Sequence, residues 1–154
     1  MNVHTGLIRF LLLNSFFTFQ SYSQVVIPDS AASASRAFSI DDCVNEFSPA
    51  HVESTKVGYQ YWFVSREFID GRTLKMSVVA PHQATHPPHR HQEDEFFFVL
   101  EGKAEFYLDG KTKVAGPYAS FYCPPHSEHG IRNVGDAELK YLVIKKYEKK
   151  RSGE

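Results

Sequence analysis

From residue 56 onward, apolar and polar side chains alternate with a period of two, the pattern of half-buried strands. Runs of this kind cover 59–64, 72–79, 95–100, 103–108, 111–114, 119–123, 130–134 and 139–144. In the second run Leu74, Met76 and Val78 share a face. Turn formers separate the runs: Asp70-Gly71, Glu101-Gly102, Asp109-Gly110, Ala115-Gly116-Pro117 and Gly135-Asp136. No long helical period and no internal repeat interrupt the series. About eight short strands at regular spacing predict an all-β fold, a single sandwich or barrel.

The N-terminal third reads differently. Arg9 precedes a short apolar run at 10–19, followed by the small residues Ser21 and Ser23 around Tyr22. This is the layout of a signal peptide over 1–23, with cleavage after Ser23 and Gln24 as the mature N-terminus. Asn14, Ser15 and Thr18 interrupt the run, which is too short for a membrane span. The expectation is a secreted or periplasmic protein with no membrane association after cleavage. Residues 24–50 form a Ser/Ala-rich arm, in which Ser39 is placed to cap a short helical turn over 39–47. The barrel then occupies 51–148 and a basic tail 149–154. The run Lys145-Lys146-Tyr147-Glu148-Lys149-Lys150-Arg151 reads as a solvated end.

The 154 residues suffice for one domain with a real core. A hydrophobic share of 42%, rich in Phe and Tyr, favours strands over a helical bundle. The net charge of −1 with no basic face on the body excludes nucleic acid as a partner. Cys43 and Cys123 are expected as free, largely buried thiols, although an oxidising compartment would permit pairing.

Chemistry concentrates at 86–102. His86, His89, His91 and Glu95 fall within ten residues, and an apolar strand then runs to Glu101-Gly102. His89, His91 and Glu95 share parity with Phe97 and Val99, so an extended segment aims two imidazoles and a carboxylate into one interior. A second cluster, Pro124-Pro125-His126-Ser127-Glu128-His129, leads into the strand at 130–134. A barrel can bring His129 against His89 and His91. Three nitrogens and one oxygen suit a divalent transition metal, with positions left open for water or substrate.

On these residues the chain resembles the cupin superfamily. Its first motif, His-x-His, three residues, Glu, six residues, Gly, is matched by His89, His91, Glu95 and Gly102. Its second motif is matched by Pro124, His129 and Asn133. Two positions depart from it: Gln83 stands where the opening glycine is usual, and His126 where the turn glycine is usual. A turn at 126 needs positive φ, which His tolerates better than most residues. The resemblance covers 70–145. It implies a double-stranded β-helix, a jelly-roll-like barrel of two sheets with a short N-terminal arm. It also implies one divalent metal (Mn, Fe, Ni or Zn) on His89, His91, Glu95 and His129.

His86, His126 and Glu128 are the acid or base candidates near that metal. Phe97, Tyr107, Phe121 and Tyr61 are candidate cavity walls, and Glu93 and Asp94 solvated charges at the strand entry. The function expected is a metal-dependent enzyme on a small polar substrate, with isomerase- or lyase-type chemistry on carbohydrate-derived, uronate-like acids. The alternatives are an iron- or manganese-dependent dioxygenase and a non-catalytic binding barrel. A homodimer through sheet edges is consistent with the resemblance.

Overall fold

A computed structural model describes residues 37–148. The signal-peptide segment 1–23, the first part of the arm and the tail at 149–154 lie outside the described residues. At the start of the described chain, α1 (Ile40–Cys43) is a single turn closed by a capping box. Ser39 Oγ accepts from the Asp42 amide at 3.2 Å, and Asp42 Oδ2 accepts from the Ser39 amide at 2.9 Å. The expected cap is therefore present, on a helix shorter than 39–47. A 3-10 turn follows at Pro49–His51.

Nine strands follow: β1 (Glu53–Thr55), β2 (Gly58–Ile69), β3 (Arg72–Val79), β4 (Glu95–Glu101) and β5 (Ala104–Leu108), then β6 (Lys111–Ala115), β7 (Ser120–Cys123), β8 (His129–Asn133) and β9 (Leu139–Lys146). The alternation pattern locates all but β1, a three-residue strand too short to show a period. All pairings are antiparallel. One sheet has the order β1-β2-β3-β9-β4-β7 and the other β6-β5-β8. This is the all-β, two-sheet architecture expected. Among the described residues no helix is long and apolar enough to cross a membrane.

The core lies between the inner faces of the sheets. Val79, Phe97, Val99, Tyr141 and Val143 from the large sheet meet Ala104, Phe106 and Ile131 from the small one. Burying each large side chain contributes roughly 1.5–3 kcal/mol. A second cluster sits on the outer face of the large sheet, where Tyr61, Met76 and Val78 are buried together with Val52, Phe63 and Leu142 against them. The segment before β1 helps to cover it: Tyr61 donates its hydroxyl to the Glu46 carbonyl at 2.8 Å, and Phe47 packs edge-on to Tyr61 at 4.9 Å. β3 is consequently buried on both faces. Tyr61 is opposite Met76 in the β2–β3 register and belongs to this outer cluster, not to a cavity wall.

Backbone conformation explains the motif residues that are not ligands. Gly102 has φ +88°, and a Cβ there would stand 2.5 Å from the Glu138 carbonyl oxygen, so only glycine ends β4 this way. His126 has φ +63°, as its turn position requires. In the turn before the first cluster the left-handed residue is His82, at φ +59°, next to Gln83. The glycine usual at 83 is dispensable because its neighbour takes the strained position.

Both cysteines are free; Cys123 is fully buried on β7, whereas Cys43 is exposed on α1 and corrects the expectation of two buried thiols. Burial pushes the Cys123 thiol far up, with the Glu95 carboxylate adding to the effect. Titration of native protein with a disulfide reagent near pH 8 should therefore label one thiol quickly and the second only after denaturation. Two fast equivalents would contradict the packing around Cys123.

Candidate metal centre

His89, His91, Glu95 and His129 converge, with one ligand atom from each within 4.8 Å of all the others. Their positions do not come from a single strand. Glu95 begins β4 and His129 begins β8, while His89 and His91 precede β4 in irregular chain. What holds them is pairing between the two clusters. His89 and His129 exchange both backbone hydrogen bonds at 3.0 Å, an isolated bridge that adds one residue to the edge of the small sheet. The His126 amide donates to the His91 carbonyl at 2.8 Å, and Arg90 Nη1 donates to the His126 carbonyl at 3.0 Å. Gly130 allows the close approach, since a Cβ there would sit 3.3 Å from Pro88 Cα.

The hydrogen bonds also assign the ring protons. His91 Nδ1 faces the Glu93 carbonyl at 2.6 Å, and His129 Nδ1 faces the Ser127 carbonyl at 2.8 Å. A carbonyl only accepts, so each Nδ1 carries a proton, and in the neutral ring Nε2 is left to present a lone pair. Those two Nε2 atoms stand 3.1 Å apart, and His129 Nε2 is 3.1 Å from Glu95 Oε1. With both rings neutral, three lone-pair donors crowd one point, the arrangement a bound cation resolves. Nearby, buried His89 Nδ1 has no hydrogen-bond partner among the described residues. Burial, and next the imidazole of His86, hold the His89 pKa below its ordinary value, which favours the neutral ligating ring. This donor set fits a divalent transition cation, and the two backbone carbonyls orient the ligands as outer-shell partners do.

A cavity of about 290 Å³ opens beside the cluster, and both His89 and Glu95 line it. Its walls include Phe97, as expected, together with Gln60, Lys75, Ser77, Thr85, His86, Tyr141 and Lys145. The Tyr141 phenol lies beside Thr85 and Ser77, and burial raises its pKa, which keeps the hydroxyl protonated. Burial pushes Lys75 below the usual lysine range, opposed chiefly by Glu95.

The remaining candidates are dispersed. His86 lines the cavity, edge-on to His89 with ring centroids 4.4 Å apart. Together with Thr85 it also borders a wider pocket of about 440 Å³, which Tyr107 and Arg132 line on the far side of the 84–88 segment. Glu128 accepts from the Tyr107 hydroxyl at 2.7 Å. Phe121 borders a third pocket with Phe106. His126 is exposed, and its role in the fold is the backbone of its turn.

Two expectations are corrected. Lys145 is no solvated tail residue: its side chain is 8% exposed, because β9 extends to Lys146 and odd residues of that strand face inward. Glu93 is likewise paired, 3.6 Å from Lys145 Nζ. Lys75, Tyr141 and Lys145 went unnoticed as site residues, although each shares parity with inward-facing neighbours on its strand.

A cupin domain family model matches residues 75–145, the span that contains all four converging residues. Residues 75–145 are a cupin domain. A cupin 2 domain-containing protein from Halorhodospira halophila is 26% identical, with a TM-score of 0.54 over 60% of this chain and 65% of that one. A predicted oxalate decarboxylase from Thermotoga maritima is 21% identical, with a TM-score of 0.54 over 57% of this chain and 78% of that one. Among curated proteins, the uncharacterized HTH-type transcriptional regulator YobQ of Bacillus subtilis is 32% identical over 56 residues. That match takes in 36% of this cupin but only 23% of the regulator's length.

Proposed function

We propose that this cupin is a metal-dependent enzyme acting on a small polar acid, with isomerase- or lyase-type chemistry on carbohydrate-derived acids as the leading class. The observation that carries the reading is the set of imidazole and carboxylate donors meeting at one point beside a cavity that His89 and Glu95 line. A divalent ion held by His89, His91, Glu95 and His129 supplies Lewis-acid polarisation of a ligand oxygen. The chain's own groups do the rest. Tyr141, beside Ser77 and Thr85 in the cavity lining, offers its hydroxyl to a ligand oxygen. His86, with Nδ1 toward the Pro87 carbonyl at 3.4 Å, offers Nε2 to take or return a proton at the cavity rim. Phe97 and Val143 exclude water from the apolar side. Export through a signal peptide at 1–23 is part of the proposal.

Natively purified protein should contain close to one transition metal per chain by elemental analysis, and exported protein should begin at Gln24 by mass spectrometry. With metal bound, uronates and related acids incubated in deuterated water should show exchange, isomerisation or elimination by NMR, without oxygen uptake. Oxygen consumption would replace this reading with a dioxygenase. Metal and ligand binding without turnover would leave a binding barrel.

A further inference from the structure

Lys75 and Lys145 enter the cavity from neighbouring strands. β3 and β9 place Lys75 opposite Val143 and Thr73 opposite Lys145, so the lysines are diagonal neighbours on the inward face. Long side chains meet at that spacing. Lys145 Nζ lies 3.6 Å from Glu93 Oε2 and 3.9 Å from Glu95 Oε2. Lys75 Nζ donates to the Gln60 amide oxygen at 3.3 Å and stands 5.1 Å from the Trp62 ring.

Charge at this place is unevenly met. Glu93 and Glu95 both stand beside Lys145, whereas Lys75 Nζ reaches only the Gln60 amide oxygen and the Trp62 ring among the described residues. Partly desolvated ammonium groups are costly unless an anion meets them. Hydroxyls of Ser77 and Tyr141 lie on the same wall and suit a carbonyl or hydroxyl oxygen between two anionic ends. A volume of about 290 Å³ is at the small end for ligand pockets and favours a short molecule over an oligosaccharide.

We propose that Lys75 and Lys145 form an anion subsite beside the histidine–glutamate cluster, and that the ligand is a short dicarboxylate with one carboxylate at the cluster and the other at the lysines. This deepens the metal-dependent reading above and rests on it for the first carboxylate only.

The test compares malonate with propionate, which have equal carbon counts and differ in the second charge. Binding is followed by calorimetry and by emission of Trp62, the single tryptophan. Manganese-loaded and metal-stripped protein are both titrated. Malonate should bind about 10-fold tighter or more in each form, since a charge-assisted contact separates the two ligands. Lys75→Met should abolish the preference while metal content stays unchanged, with a thermal melt reporting the fold. Equal binding of the two acids by the unaltered protein overturns the subsite, and that comparison needs no variant. Loss of metal from Lys75→Met also overturns it, because the lysine would then serve the cluster and not a ligand. Failure to retain manganese, with a lysine-dependent malonate preference intact, would instead overturn the metal reading and leave the subsite standing.

Discussion

His129→Ala protein should lose at least about 100-fold in affinity for its transition metal, more than removal of an outer-shell partner costs. Turnover should fall with the metal. The side chain is fully buried, and its Nε2 is the atom nearest to both His91 Nε2 and Glu95 Oε1. Alanine would leave Glu95 facing His91 at 3.6 Å with the central donor gone. Metal content is read by elemental analysis after dialysis, and circular dichroism controls for the fold. Full retention of metal by a folded variant would mean that the ligand set is wrong.

The largest loss of stability is expected at Asn133. This side chain is 1% exposed and makes four hydrogen bonds. The two protons of its Nδ2 serve the carbonyls of Val79, Ala80 and Ala137 at 2.8–3.1 Å, one of them shared, and its Oδ1 accepts from the Gly135 amide at 2.9 Å. One amide thus ties the end of β3 to the β8–β9 turn. Alanine would strand buried backbone groups from both segments, a cost of about 3 kcal/mol or more. Urea unfolding should show that loss, with a melting temperature lower by roughly 10 °C or more. Asn133→Asp keeps the acceptor and loses the donors, so it should fall short of full rescue. A variant as stable as the parent would show that water replaces the amide.

Much of this was legible in the sequence, for identifiable reasons. The bounds of β3 follow from alternation closed by Ala80-Pro81, and the positive φ of His126 follows from a turn that needs it. His89, His91 and Glu95 follow from their shared parity and the full set with His129 from the resemblance to cupins, yet the path to them does not. His89 and His91 are held by bonds to His129 and His126 from a distant cluster, which no local period reveals. Lys145 was misplaced because a run of charges resembles a solvated tail, while the strand beneath it continues to Lys146. Tyr61 was misplaced because an aromatic strand offers two faces and nothing local says which one meets a cavity. Both errors concern strands with apolar or long side chains on each side, where binary patterning loses its contrast.

The double burial of β3 bears on where this protein can be cut. The family model begins at Lys75, within β3, and so omits β1, β2 and the segment that leans on Tyr61. A fragment starting there would bare Met76 and Val78 and lose Gln60 and Thr55 from the cavity wall. The recognisable module is therefore smaller than the autonomous one. A soluble truncation should begin no later than Glu46, the residue whose carbonyl receives the Tyr61 hydroxyl.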